Sequence, residues 1–215
     1  KLVKELAIQD DRRIFRLAEV LKRGVDIDKI NKITKIDRWF INKIKNIVDF
    51  SLEMQGCKDA KMQSLEILNT YYLNAKQYGF LEEEIADLTG ISTEEIEKYR
   101  KDNNIQAAFK IVDTCAAEFE AETPYYYSTY GEECEVKKNP DKETIMVLGS
   151  GPIRIGQGIE FDYCSVHAAW AIKNNGYESV MVNSNPETLS TDFDIADRLY
   201  FEPMNIENIM NIVEK

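Results

Sequence analysis

Four of the ten glycines in this chain, Gly149, Gly151, Gly156 and Gly158, fall within ten residues of one another. They lie in the stretch Gly149-Ser-Gly-Pro-Ile-Arg-Ile-Gly-Gln-Gly-Ile-Glu-Phe-Asp-Tyr163, directly after the apolar run Ile145-Met-Val-Leu148. Glycine tolerates positive φ and lets other groups approach the backbone closely. A glycine-rich strand-to-helix turn can therefore hold an anion or a polar ligand. The plainer reading is that the glycines only let a strand and a helix pack tightly. Spacing excludes two common ligands. A dinucleotide site needs G-x-G-x-x-G and an acid about 20 residues on. Here Pro152, Ile153, Arg154 and Ile155 separate Gly151 from Gly156, and the next apolar run, Val180-Met-Val182, ends in Asn183-Ser-Asn185 without an acid. No Gly-Lys-Ser/Thr follows Gly158, so the stretch is not a P-loop.

Three charged residues gather around this turn. Glu160 follows the glycines, Glu187 follows Asn183-Ser-Asn-Pro186, and Arg154 lies within the loop. In a parallel α/β sheet both glutamates flank the carboxyl edge of adjacent strands, where ligand sites form. Glu160 and Asp162 could equally be first-turn acids or an N-cap of the following helix. The residues alone leave both readings open. Arg154 can neutralise these acids or bind an anion.

Other candidates carry less. Cys164 and His167 are spaced like two metal ligands, but no second pair accompanies them. Cys57, Cys115, Cys134 and Cys164 include no C-x-x-C and read as reduced thiols. His167, the only histidine, shares a helical face with Tyr163, Val166, Trp170 and Ala171 and reads as a hydrogen-bonded core residue. Residues 80–102 resemble a helix-turn-helix around Ala86-x-x-x-Gly90-Ile-Ser92, yet the second helix opens with Glu94, Glu95 and Glu97. Carboxylates there suit a helix dipole and repel DNA phosphate. A net charge of −11, from 38 acidic and 27 basic residues, also argues against nucleic acid as a partner. No stretch approaches 18 apolar residues, and Lys1-Leu-Val-Lys-Glu-Leu6 has no apolar signal region. A cytoplasmic location without a membrane partner is expected. The missing initiator Met suggests a piece of something longer.

The elements that must position these residues divide the chain. Ile14, Leu17, Ala18 and Leu21 follow the spacing of a buried helix face, with Asp10 or Asp11 as cap and Gly24 as stop. Phe40, Ile44, Ile47 and Val48 repeat it between Asp37 and Gly56, and Leu65, Leu68, Tyr72 and Ala75 repeat it before Gly79. Short helices follow at about 81–88 and 93–102. From about 105 to 142, Pro124, Tyr125-Tyr-Tyr127, Gly131 and Asn139-Pro-Asp141 read as irregular chain, ordered by aromatic packing. Beyond that, strands at 144–148, 179–183 and 198–201 alternate with helices at about 162–175 and 205–214. Alternation predicts a parallel sheet, cut short within its domain.

At this point the residues resemble a known family. Leu148 to Tyr163, Asn183-Ser-Asn-Pro-Glu-Thr-Leu-Ser-Thr-Asp192 and Asp197-Arg-Leu-Tyr-Phe-Glu-Pro203 are similar to the start of the second synthetic half of the carbamoyl phosphate synthetase large chain. Ile36-Asp-Arg-Trp-Phe40, Val112-Asp-Thr-Cys-Ala-Ala-Glu-Phe119 and Tyr127-Ser-Thr-Tyr130 resemble the segment that joins the family's two halves. Ser150 stands where a glycine is common in the family. The resemblance implies a multidomain chain: an all-α helical oligomerisation domain over 1–125, an ordered linker over 126–142, and a truncated α/β Rossmann-like (pre-ATP-grasp) parallel sheet over 143–215. It implies a ligase, serving arginine or pyrimidine biosynthesis, that makes carbamoyl phosphate from bicarbonate, glutamine-derived ammonia and two ATP. ATP, magnesium or manganese, and potassium would bind in ATP-grasp domains outside this chain, which would hold no catalytic residue, complete cofactor site or metal of its own. The implied partners are the glutamine amidotransferase small chain and further copies through the helical domain. Gly158, Glu160 and Glu187, with Arg154 beside them, would line a passage carrying carbamate between two sites. An NAD-type Rossmann protein with a helical appendage, or a helix-turn-helix binding module, are the alternatives.

Overall fold

The structure, a computed structural model, describes residues 2–60, 62–120, 123–151 and 160–215, without the side chains of residues 59, 160 and 161. The chain forms two units, Lys1–Asn104 and Ile105–Lys215.

The first unit is helical: α1 (Leu2–Glu5), α2 (Arg13–Lys22), α3 (Ile27–Thr34), α4 (Arg38–Asp59), α5 (Ser64–Gln77), α6 (Glu82–Thr89) and α7 (Thr93–Asp102). Its core joins Leu6, Leu17, Val20, Leu21, Ile30, Ile41 and Val48. Local chemistry sets the ends. Asp26 accepts from the Lys29 amide to open α3, and Asp37 accepts from the Trp39 amide to open α4. Ser92 and Glu95 form a reciprocal capping box on α7. At Gly24 (φ +75°) the Gly24 and Val25 amides donate back to Leu21 and Val20 O, closing α2 with a left-handed cap.

The faces differ in detail from the expected ones. Ile14, Phe40, Ile47 and Leu65 are exposed, while Ile41 and Val20 are buried. The buried stripes are narrower and rotated by about one residue, because short helices in a small bundle bury only part of an apolar face. Gly56 does not end its helix, which continues to Asp59. Asp10 bonds Arg16 and the Arg12 amide instead of capping α2, whose N-cap residue, Arg12, makes no side-chain capping bond among the described residues.

The second unit contains β1 (Ala108–Ile111), β2 (Tyr125–Thr129), β3 (Thr144–Leu148), α8 (Glu160–Asn174), β4 (Glu178–Asn183), β5 (Arg198–Phe201) and α9 (Ile206–Val213), with a 3₁₀ turn at Leu189–Thr191. The strand order is β1-β2-β5-β4-β3. β1 and β2 are antiparallel, and every other pair is parallel. The sheet is thus five-stranded and mixed, not the three-stranded parallel sheet expected. The two added strands come from the segment predicted to be irregular. The helical unit likewise ends at Asn104, short of the boundary expected near 125.

Strand alternation gives the sheet two buried faces. Val180 and Val182 pack with Phe109, Tyr126, Tyr200 and Ile212 of α9 on one side. Met181 and Leu199 pack with Val166 and Ala169 of α8 on the other. The central strand β4, buried at every residue, therefore carries the uninterrupted apolar run Val180-Met-Val182. At the amino-terminal edge, Arg198 pairs with Glu178 through Nε (3.2 Å) and Nη2 (2.7 Å), and Thr144 donates to Glu178 at 2.9 Å. Arg198 and Glu178 are both buried, so this clamp fixes the starts of β3, β4 and β5 together.

Candidate functional site

The candidate site lies at the opposite, carboxyl edge of β3 and β4. β3 runs into Gly149, whose amide donates to Val182 O at 2.8 Å, so the backbone stays tied to β4 as it turns. A Cβ on Gly149 would stand 2.5 Å from Asn183 Nδ2. Gly151 follows at φ +71°, a conformation that favours glycine. These two glycines therefore have separate reasons: close approach at the first, backbone handedness at the second.

Asn183, fully buried, ends β4 and organises the next turn. Its Oδ1 accepts from the Asn185 amide (2.9 Å), and Asn185 Oδ1 in turn accepts from the Glu187 amide (3.0 Å). Two successive side-chain turns thus carry the chain through Pro186. Asn183 Nδ2 donates to Ser190 Oγ at 3.3 Å. From α8, the fully buried Asp162 reaches across: its Oδ2 accepts from Thr188 Oγ1 (2.7 Å) and from the Ser190 amide (2.6 Å). Asp162 Oδ1 is buried and has no hydrogen-bond partner among the described residues.

One strand further along the same edge, Glu202 follows β5 and is 4% exposed. Its carboxylate accepts from the Ser128 amide at the end of β2. Burial pushes the Glu202 carboxyl above the ordinary glutamate range, partly offset by the Ser128 bond. The carboxyl edge thus collects glycine backbone, a buried asparagine and carboxylates from α8 and β5. Such an edge is where an open α/β sheet places a small polar ligand.

Family comparisons match the whole of the helical unit and the larger part of the second. The family described as "Carbamoyl-phosphate synthetase large chain, oligomerisation domain" matches residues 1–104, the whole helical unit. That described as "Carbamoyl phosphate synthase preATP-grasp domain" matches residues 141–215. The chain is 51% identical, over its full length, to the carbamoyl phosphate synthase large chain of Clostridium acetobutylicum, covering 20% of that protein. It is 50% identical over its full length to the one from Thermoanaerobacter pseudethanolicus, covering 19% of it. It is 52% identical, over 99% of its length, to the one from Agathobacter rectalis, again covering 19%. The chain belongs to the carbamoyl phosphate synthase large-chain family. It spans about a fifth of the length of these curated relatives.

Glu160 is the first residue of α8, and Glu187 sits exposed in the turn after β4, so they flank the carboxyl edge of adjacent strands. Gly158 and Arg154 lie outside the described residues, as does the Glu160 side chain. Asp162 lies in the first turn of α8, as read from the sequence, and also bonds to the Glu187 turn. His167 is exposed between Tyr163 (centroids 5.4 Å apart) and Trp170 (5.5 Å), not a core residue. The buried face of α8 runs through Asp162, Ser165, Val166 and Ala169, which turns His167 outward. The 80–102 segment forms α6 and α7 around Gly90 (φ +78°), a left-handed cap, with Glu94, Glu95 and Glu97 exposed.

Sequence reasoning gives Asp162 only a helix-end role and Glu202 none. The signal for Asp162 was the Asp/Thr/Ser composition on both sides of the edge, visible only once the turn and helix are known to face each other. Glu202 gave no local signal, because its burial depends on β2, 74 residues earlier in the chain.

Proposed function

We propose that this chain supplies the oligomerisation unit and the beginning of a Rossmann-like pre-ATP-grasp domain of an enzyme that makes carbamoyl phosphate from bicarbonate, glutamine-derived ammonia and two ATP. In this reading the parent ligase acts in the cytoplasm, pairs with a glutamine amidotransferase small chain and associates with further copies through the helical unit. Gly158, Glu160 and Glu187, with Arg154 beside them, form part of the wall of the passage that carries carbamate between the two synthetic sites. The observation that supports the reading is the joint at the carboxyl edge, where Asn183, at the head of the turn holding Glu187, closes on Gly149. A route for carbamate must exclude bulk water and still tolerate an anion. Glycine backbone leaves room at such a wall, and hydrogen-bonded carboxylates avoid the cost of bare buried charge.

The described residues do not fit a nucleotide–metal site. No group of three His, Cys, Asp or Glu among them could hold a metal ion. The glycine turn also lacks the Gly-Lys-Ser/Thr that would bind phosphates. In this reading ATP and its metal ions bind in other parts of the parent enzyme; no helix among the described residues is long and apolar enough to cross a membrane.

The 215-residue chain, mixed with ATP, bicarbonate and ammonia, is expected to release no ADP above background. Sustained turnover would overturn the division of labour proposed here.

A further inference from the structure

We propose that Asp162 is the positioning residue of the Glu187 turn, an inference that rests on the reading of Glu187 as part of the passage wall. Asp162 lies in the first turn of α8, yet it is fully buried and bonded to residues 26 and 28 positions later. An acid that served only the helix dipole would gain as much from an exposed position. Burying the carboxylate is costly unless donors compensate. Here two donors from one turn converge on a single oxygen, Thr188 Oγ1 at 2.7 Å and the Ser190 amide at 2.6 Å.

Glu187 sits between two anchors. Upstream, its own amide is held by Asn185 Oδ1, and Asn185 is held by Asn183 of β4. Downstream, the next residue, Thr188, is held by Asp162. The upstream anchor ties the turn to the sheet, and the downstream anchor ties it to the helix that begins at Glu160. Asp162 therefore fixes the spacing between the elements that carry Glu160 and Glu187. Loss of the carboxylate leaves the upstream anchor intact and frees Glu187 to swing about it.

The test uses the full-length large chain assembled with its small chain, and reads the ATP consumed per carbamoyl phosphate formed. Four single variants are compared: Asp162→Ala, Asp162→Asn, Thr188→Val and Glu187→Ala. Asp162→Ala, which removes both charge-assisted bonds, is expected to raise the ratio by at least roughly tenfold, and Thr188→Val, which removes one of them, to raise it less. Asp162→Asn keeps an oxygen that can accept both bonds and is expected to restore most of the coupling. A purely structural role would lower the yield of folded enzyme without moving the ratio. Adding Glu187→Ala to Asp162→Ala is expected to give no further rise, since residues acting through one another are non-additive. Multiplying effects would overturn the positioning role, as would Glu187→Ala uncoupling the enzyme while Asp162→Ala and Thr188→Val leave it coupled. A normal ratio in Glu187→Ala would instead remove the passage reading itself. Should Asp162→Ala fail to fold, Thr188→Val, which removes one hydroxyl, decides the question alone.

Discussion

Gly149 approaches Asn183 so closely that a Cβ built on it would stand 2.5 Å from Nδ2 and 2.8 Å from Cγ. Asn183 cannot easily yield, because it is fully buried and bonded to Asn185 and Ser190. Gly149→Ala is therefore expected to destabilise the α/β unit by about 1–3 kcal/mol, the usual cost of overpacking. Denaturant unfolding of the chain, followed by a probe of the sheet, checks this. Gly131→Ala, where the nearest group to an added Cβ is 4.0 Å away, is the control and should be far milder.

The Arg198–Glu178 clamp gives a second expectation. Both groups are buried, so removing one strands the other. Arg198→Met should cost about 3–5 kcal/mol, whereas Arg198→Met combined with Glu178→Leu should recover most of the loss. Unfolding midpoints of the two variants separate these cases. Equal destabilisation in both would mean that the pair, and not the stranded charge, sets the cost.

Glu202 predicts a pH dependence. Burial raises its folded pKa above the unfolded value of about 4.3. Between the two values the folded state keeps a proton that the unfolded state has lost. Stability contributed by this group is thus complete below the unfolded pKa and is lost as pH rises through the folded pKa. Glu202→Gln, whose amide oxygen can still accept from Ser128, should remove that loss. Wild type and variant should be closest in stability under acid conditions, and the variant should gain relative to wild type as pH rises toward neutrality. Parallel stability curves across this range would contradict it.

Much of this was legible in the sequence because it is locally encoded. The strand at 144–148 and the helix at 93–102 fall at their predicted residues. A four-residue apolar run before glycines and a Ser92/Glu95 capping pair leave little choice of local structure. The turn after β4 was also marked, since Asn183, Asn185 and Pro186 are turn formers. The strand at Tyr125–Thr129 was not. Its partners are β1 on one side and β5 on the other, and Tyr126 stacks on Tyr200 at 5.3 Å, a contact spanning 74 residues of chain. No local period reveals such a pairing, and the adjacent proline and tyrosines read as irregular. The same reason hid Asp162, whose partners are local to one another but distant from it.

The central claim, that the Glu187 turn is part of a carbamate passage, is tested most directly by Glu187→Lys in the full enzyme. Overall synthesis and bicarbonate-dependent ATP cleavage are measured together. The account predicts slowed synthesis while ATP cleavage continues, so the ATP spent per carbamoyl phosphate rises. Normal synthesis at the wild-type ratio would contradict it.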